Sequence, residues 1–294
     1  MTEKEICVLK SDKEIGGLKI DKNKLEVIEK EKPTGVITSS RQFIYLILVF
    51  IATMVVWEAL VRIFNYPKYI LPPPSNIAIS LWSGLVTTRV YWFHIGYTMA
   101  EVVIGFLIGS VIGLLLGMWI ALFPFAERIF YPYIVALQTL PKVAIAPLFV
   151  IWLGFGIASR IGIAATIAMF PLIVNTFIGI KNTDSERILF LRSLSATRWQ
   201  IFRKVQLPSA LPLIFAGLDL AIVFAVIGAI VGEMVSGLHG LGSVIMQKNF
   251  TLDTGGIFAI LLILGVIGTG LHSLMRWIKK KVVFWSEEYT VVGT

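Results

Sequence analysis

Residues 184–212 read DSERILFLRSLSATRWQIFRKVQLPSALP, a basic and amphipathic stretch between two long apolar segments. Cationic and apolar side chains alternate along it, which predicts a short helix with one side of each kind. The cationic residues are Arg187, Arg192, Arg198, Arg203 and Lys204, and the apolar ones are Ile188, Leu191, Leu194, Trp199, Ile201 and Phe202. Pro208 and Pro212 follow where the next apolar segment begins, a position at which a helix tolerates proline. We interpret this stretch as a binding surface for another protein.

The rest of the chain has the composition of an integral membrane protein. Its mean hydropathy is +0.83, with 56% hydrophobic and 15% charged residues. A helix needs about 20 apolar residues to cross the hydrocarbon core. Six segments meet this requirement: Phe43 to Phe64, His94 to Leu122, Ile129 to Leu153, Ile161 to Ile180, Ala210 to Val235 and Gly256 to Ile278. The sequence therefore predicts an all-α fold with six transmembrane helices.

The positions of lysine and arginine predict the orientation. Basic residues cluster at 181–204 and 276–281, and short basic loops stay in the cytoplasm. The loops at 65–93, 154–160 and 236–255 carry few of them. With an even number of spans, both termini are expected in the cytoplasm of a multi-pass protein of the plasma (inner) membrane.

The chain divides by composition into four parts. Residues 1–42 are polar and rich in lysine and glutamate, and we interpret them as a mobile cytoplasmic tail rather than a secretory signal. Residues 43–64 form the first span, residues 71–281 form a five-helix core that contains a loop at 181–207, and residues 282–294 form a second cytoplasmic tail. Because topology explains the net charge of +8, no nucleic-acid partner is expected.

A glycine recurs at every fourth position of the second segment, at Gly105, Gly109, Gly113 and Gly117. This spacing places four glycines on one helix face, where another helix can approach closely. The face either packs the bundle or forms a surface that slides during gating, and both interpretations stay open.

The third segment contains Pro132, Pro141 and Pro147, so its helix is predicted to be kinked or broken. Irregular backbone at membrane depth is tolerated where it is buried in protein or lines a water-filled cavity. A role in the translocation pathway and a role in plain packing are both possible here. The pathway candidates are Gln138, Thr139, Lys142, Asn175 and Glu233.

Five charged residues interrupt the apolar segments, and each unpaired charge costs at least about 2.5 kcal/mol in the bilayer. They are Glu58, Glu101, Lys142, Asp219 and Glu233. We expect Glu58 and Glu101 to be solvated near the outer headgroups. Asp219 and Glu233 are expected to be structural or gating residues, with a pairing to Lys142 or to a backbone donor left open.

Several chemistries are not indicated. The sequence GxxxxGK[ST] of a phosphate-binding loop is absent, so ATP used in transport would be bound by another polypeptide. Cys7 is the sole cysteine, and His94, His239 and His272 are dispersed, so neither a disulfide nor a metal site is expected. No catalytic residues and no bound cofactor are predicted for this chain.

From about Leu71 to Lys280, the order of short motifs resembles the permease subunit of ABC importers, most closely the nitrate, taurine and aliphatic-sulfonate branch. The matching residues include Leu71 to Ser75, Gly105-Phe106, Leu140-Pro141, Trp152 to Gly154, Asn175-Thr176, Ala196 to Pro208, Glu233-Met234 and Gly240 to Gly242. Leu189 to Leu191 replace the family's Glu-Ala-Ala triplet, and Ser195 stands where a glycine is usual. Glu101, Gln138 and Asp219 replace arginines, and Lys142 replaces a proline.

This resemblance implies a type I importer: two copies of the permease, or one copy with a sibling, together with two cytoplasmic ATPases that use ATP-Mg and an external solute-binding protein. It implies that the loop at 181–207 contacts the ATPase through Arg192, Ser195, Ala196, Arg198, Trp199, Phe202, Leu207 and Pro208. The transported solute would be a small anion, such as nitrate, taurine or a sulfonate, or a related small organic molecule. An ion-coupled secondary transporter is the alternative, although it would not need the basic loop.

Overall fold

The computed structural model describes residues 40–139 and 141–285, and every regular element within these ranges is helical. The helices are α1 (Ser40–Ile63), α2 (Pro74–Trp82), α3 (Val90–Leu122), α4 (Pro124–Thr139), α5 (Ala146–Leu153), α6 (Ile157–Lys181), α7 (Ser185–Ser193), α8 (Arg198–Ile201), α9 (Leu207–Ser236), α10 (Leu241–Phe250) and α11 (Thr254–Val282). Nearly all of the predicted N-terminal tail and most of the C-terminal one lie outside the described residues.

The chain divides into two units, one of which is residues 54–288. Of the other unit, the structure describes residues 40–53, the first half of α1. All contacts discussed below lie within residues 54–285.

Within the described residues, five helices are long and apolar enough to cross a membrane: α1, α3, α6, α11 and the continuous run Arg198–Ser236. The third predicted span is broken, because Pro124–Thr139 and Lys142–Leu153 meet at an angle of 95°. Counting this bent pair as one gives the six predicted spans. The break falls at Pro141, which cannot donate a helical hydrogen bond and disfavours helical backbone in the residue before it.

Helix α6 lies at the centre of the bundle, between α3 and α9. A Cβ atom on Gly109 of α3 would lie 2.5 Å from the carbonyl oxygen of Ala165. On the other side, a Cβ atom on Gly228 of α9 would lie 2.7 Å from the Cα atom of Ala164. Small residues thus let three backbones pack directly against one another, as helix association in a bilayer requires. All four glycines of the predicted α3 face are buried here.

Helix α1 is joined to the start of α2 through Glu58. One oxygen of this carboxylate accepts a hydrogen bond from the Ser75 backbone at 3.0 Å, and the other accepts one from the Ser75 hydroxyl at 2.8 Å. Arg62 lies 2.6 Å from the same carboxylate. Glu58 was expected to be solvated among headgroups; instead it is half-buried, because it binds the N-terminal turn of α2.

Candidate coupling surface and translocation segment

Helix α7 has well-defined ends within the basic loop. At its start, the Asp184 side chain accepts a hydrogen bond from the Glu186 backbone at 2.9 Å. At its end, the N–H of Ser195 donates to Arg192 at 2.9 Å, and the N–H of Ala196 donates to Leu191 at 3.0 Å. This is the hydrogen-bond pattern of a Schellman motif. The residue at the turn of this motif is therefore Ser195.

Ser195 adopts the left-handed conformation that such a turn requires, with φ of 58°. For a residue with a Cβ atom this conformation costs roughly 1–2 kcal/mol. The two hydrogen bonds at the C-terminus of α7 offset part of that cost.

Helix α8 is the start of the membrane helix that follows it. Thr197 and Gln200 form a reciprocal capping box at its N-terminus. From there the helix continues through a π-helical turn, Phe202–Gln206, into α9. The whole segment, Arg198–Ser236, is 39 residues long. A force applied to α8 would therefore be passed directly to the bundle.

Most predicted contact residues lie on the surface of this loop. Arg192, Ser195, Arg198 and Trp199 are exposed, and Ala196, Leu207 and Pro208 are half-buried. Phe202 differs from the prediction: it is only 6% exposed, because it packs in a core that includes Ile180 and Ala210. Its ring centre lies 5.5 Å from that of Trp199, so Phe202 supports the exposed indole rather than offering a surface of its own.

Besides Trp199, three apolar side chains of the loop are exposed, and of these three the sequence analysis placed only Leu194 on the apolar side of an amphipathic helix. Leu189, Phe190 and Leu194 are each more than 60% exposed. A contiguous apolar surface of this kind, bordered by charges, is typical of a protein interface. Because α7 has only nine residues and few partners, the helix period alone could not indicate which side faces outward.

Three pathway candidates lie next to the break in the third span, where Lys142 contacts the backbone of Gln138. The Lys142 ammonium group donates to the Gln138 carbonyl at 3.2 Å, and Thr139 donates to Ala136 at 2.7 Å. The Lys142 nitrogen lies 5.7 and 5.8 Å from the ring centres of Phe170 and Phe224. In the described residues no carboxylate lies within salt-bridge distance of it. Asn175, by contrast, donates to Pro171 of its own helix at 2.8 Å.

Glu233 lies in a different cluster, at the opposite end of α9 from the basic loop. One of its oxygens accepts a hydrogen bond from Thr98 and the other from the Gly242 backbone, both at 2.6 Å. Thr98 also accepts from the Leu241 N–H at 2.9 Å. Glu233 is fully buried, so it fixes the turn that starts α10 and does not line an open path.

Glu101 is part of the same buried region, contrary to the expectation that it is solvated. It is fully buried and pairs with Arg160 at 2.6 Å. Arg160 also donates to the carbonyl of His239 at 3.1 Å. Arg160 was not among the sequence-predicted site residues, although it directly precedes the apolar segment that begins at Ile161. The pairing left open for Lys142 is absent among the described residues, and Asp219 instead lies 2.6 Å from His272.

The sequence and fold of this chain are similar to those of known transport proteins. The family described as "Binding-protein-dependent transport system inner membrane component" matches residues 109–284, which contain the basic loop, α9 and α11. The chain belongs to this family. The permease fold and ABC-importer class predicted from the sequence are thereby confirmed, and this permease is a multi-span protein of the inner membrane.

Individual relatives extend the match beyond that range. The formylaminopyrimidine transport permease protein ThiX of Halalkalibacterium halodurans is 34% identical over 80% of this chain and 96% of its own length. The riboflavin transport system permease protein RibX of Chloroflexus aurantiacus is 34% identical over 79% and 86%. The putative aliphatic sulfonates transport permease protein SsuC of Bacillus subtilis is 30% identical over 80% and 84%.

A solved structure agrees on the fold. An inward-facing conformation of the MetNI methionine ABC transporter matches with a TM-score of 0.56 and 20% identity. The match covers 67% of this chain and 97% of the other one. The permease therefore has the helix arrangement of a type I importer.

Proposed function

We propose that this permease is the membrane subunit of an ATP-driven importer, in which the loop formed by α7 and α8 contacts a cytoplasmic ATPase. The observation that carries the proposal is the continuity of Arg198–Ser236, which joins an exposed docking surface to a helix at the bundle centre. Trp199 and the cations Arg192 and Arg198 supply that surface. ATP-Mg is bound by the ATPase, and this chain carries no cofactor of its own.

The complete transporter would contain two copies of this permease, two ATPase subunits and an external solute-binding protein. The basic ends of α7, α8 and α11 support an orientation with both termini in the cytoplasm. ATP-driven closure of the ATPase pair would draw two copies of the loop together. Nucleotide energy then enters as a difference in affinity for two arrangements of the bundle.

The opposite end of the bundle is the proposed face for the solute-binding protein. A cavity of about 460 Å³ there is bordered by Phe155, Arg160 and Leu238. Phe155 and Leu238 are each at least 80% exposed, which supports contact with a protein partner. Helix α9 separates this end from the basic loop by 30 residues, or about 45 Å.

The broken third span is the proposed wall of the translocation pathway, and Lys142 is its main chemical feature. Carboxylates in the other spans have partners: Glu58 with Arg62, Glu101 with Arg160, Asp219 with His272, and Glu233 with Thr98 and Gly242. In the described residues Lys142 contacts a carbonyl and two aromatic faces instead. A cation left in this state favours an anionic group on the passing solute.

The relatives' names support a small solute but cover different chemistries, from a pyrimidine and riboflavin to aliphatic sulfonates. We propose a small organic or inorganic solute, and we assign it a negatively charged group because of Lys142. This part of the proposal concerns the solute alone and does not depend on how the ATPase binds.

The coupling surface can be tested by co-purification from native membranes. We expect the wild-type permease to retain an ATPase subunit in comparable amount. A variant with Arg192→Glu, Arg198→Glu and Trp199→Ala should lose it, because the charge and the aromatic contact are both removed. A control with Lys279→Glu and Lys280→Glu changes the same number of cations at the same end and should retain it. Undiminished ATPase in the first variant would refute the assigned contact surface.

A further inference from the structure

A second feature of the cytoplasmic end lies beside the coupling surface and is not explained by ATPase docking. A cavity of about 560 Å³ opens between α7, the start of α9 and Trp285, which lies three residues beyond the end of α11. Its cationic wall contains Arg187 and Lys204, and its other wall contains Val205, Pro208 and Trp285. We call it the basic cavity. The hydroxyl group of Ser209 also borders it.

Among residues 40–139 and 141–285, the charge in the basic cavity is only partly compensated. Arg187 lies 3.5 Å from Asp184, and both side chains are about half or more exposed. For Lys204, the described residues include no carboxylate within salt-bridge distance. Such loose surface pairs contribute little, so the two cations remain available to a ligand. An arginine and a lysine facing one cavity suit a phosphate group, which accepts two parallel hydrogen bonds from a guanidinium group.

The apolar wall indicates what carries the phosphate. Val205 lies in the π-helical turn before α9, Pro208 lies in the first turn of α9, and Trp285 lies shortly after the last turn of α11. That last turn contains Lys279, Lys280 and Lys281. Tryptophan and lysine at a helix end mark the level of the lipid headgroups. A free phosphate ion would gain nothing from the apolar wall, whereas a lipid would place its glycerol and upper acyl carbons there.

We propose that the basic cavity binds the headgroup of an anionic phospholipid from the cytoplasmic leaflet. Basic pockets between membrane helices on this side are suited to such headgroups. The lipid would contact α7, the start of α9 and the end of α11 together. Arg187 lies five residues before Arg192, about 140° around α7. The lipid site and the proposed ATPase contact share Pro208 but use different cations, and the lipid site rests on the proposed function only for the orientation of the permease.

The test measures lipid retained by the purified full-length permease. The protein is reconstituted in phosphatidylcholine vesicles with and without phosphatidylglycerol, extracted in mild detergent, and analysed by native mass spectrometry. We expect wild type to retain phosphatidylglycerol over phosphatidylcholine. Arg187→Gln with Lys204→Gln should lower that preference on the order of tenfold. The charge-conserving exchange Arg187→Lys with Lys204→Arg should preserve most of it.

A matched control removes two cations at the same membrane level but outside the basic cavity. Lys279→Gln with Lys280→Gln should keep the preference; an equal loss there would show general surface attraction and overturn the proposal. Retention unchanged by Arg187→Gln with Lys204→Gln would also overturn it, as would displacement of the lipid by inorganic phosphate. Trp285 lies outside the described helices, and Trp285→Ala should weaken lipid retention. This variant tests the proposal if the charge variant fails to fold.

Discussion

Arg160 of α6 and Glu101 of α3 form a buried ion pair, 2.6 Å apart, that joins two central helices of the bundle. Both side chains are nearly inaccessible, at 6% and 0% exposure. An ion pair in this position restricts how the helices slide past each other, because separation would leave a buried charge without a partner. It therefore sets the packing of α3 against α6 at the end of the bundle opposite to the basic loop.

Breaking this pair should be strongly destabilising. We expect Arg160→Met to lower stability by about 3–5 kcal/mol, since Glu101 is left buried and unpaired. Glu101→Gln combined with Arg160→Met should recover part of the loss. The measurement is thermal unfolding in detergent as a double-mutant cycle. The pair between Lys181 and Glu127 is the control, because both side chains are about one-third exposed and its removal should cost at most about 1 kcal/mol. Equal losses for the two pairs would contradict the assignment.

The close approach of α3 and α6 gives a second prediction. Gly109→Ala would place a Cβ atom 2.5 Å from the Ala165 carbonyl oxygen, so the helices must separate and stability should fall by about 1–3 kcal/mol. Gly268→Ala is the matched control, because a Cβ atom there meets nothing within 4 Å. That control should be neutral or slightly stabilising through helix propensity. Melting temperatures in the same detergent compare them, and an unchanged value for Gly109→Ala would show that the interface is looser than described.

Lys248 in α10 and Asp253, the residue before α11, form an ion pair whose titration can be followed. Burial raises the pKa of Asp253, but hydrogen bonds from Lys248, at 2.7 Å, and Gly256, at 3.0 Å, outweigh it, and the net pKa is lowered. The hydrogen bond with Asp253 raises the pKa of Lys248 against an opposing effect of burial. Asp253 therefore stabilises the folded protein fully above its unfolded pKa, about 3.9, and this contribution is lost as pH falls through its lower folded pKa. Lys248 stabilises the folded protein fully below its unfolded pKa, about 10.4, and this contribution is lost as pH rises through its higher folded pKa.

We therefore expect the stability difference between wild type and Lys248→Gln to be constant from about pH 5 to pH 9, and to shrink below about pH 4. Its size should be at most about 1 kcal/mol, because both side chains are more than one-third exposed. Melting temperatures across this range measure it. Asp253→Asn is the companion variant, since its amide oxygen can still cap α11 while the ion pair is lost. A stability difference that is largest below pH 4 would contradict this prediction.

The sequence predicts the spans because their apolar lengths and proline positions are local properties. Pro141 indicates the break in the third span, and the glycine spacing indicates the buried face of α3. The partners of the buried charges could not be read in this way, because Glu101 and Arg160 are 59 residues apart. Arg160 was available as a signal, since a charge beside an apolar segment can lie within the same helix. Phe202 was expected among the apolar residues of the basic loop, but its burial against Ile180 and Ala210 depends on contacts between helices that are distant in the sequence.

The last prediction concerns selectivity at the broken span. Lys142→Gln removes the cation while keeping a polar side chain, so uptake of an anionic solute should fall by about 10- to 100-fold, consistent with the loss of one charge interaction of a few kcal/mol. Lys142→Arg should retain most of the uptake. Suitable probes are nitrate and ethanesulfonate as anions and riboflavin as an uncharged comparison, tested in cells that express the whole transporter.

Two controls separate this prediction from the coupling model. Co-purified ATPase should be unchanged in Lys142→Gln, because Lys142 is not part of the proposed ATPase contact. Thr139→Val, at a neighbouring exposed position, removes a hydroxyl group without changing charge and should leave anion preference intact. Equal uptake of each anion by wild type and Lys142→Gln would rule out an anion-selecting role for Lys142, whereas loss of the ATPase together with uptake would show instead that the variant disturbs the assembly.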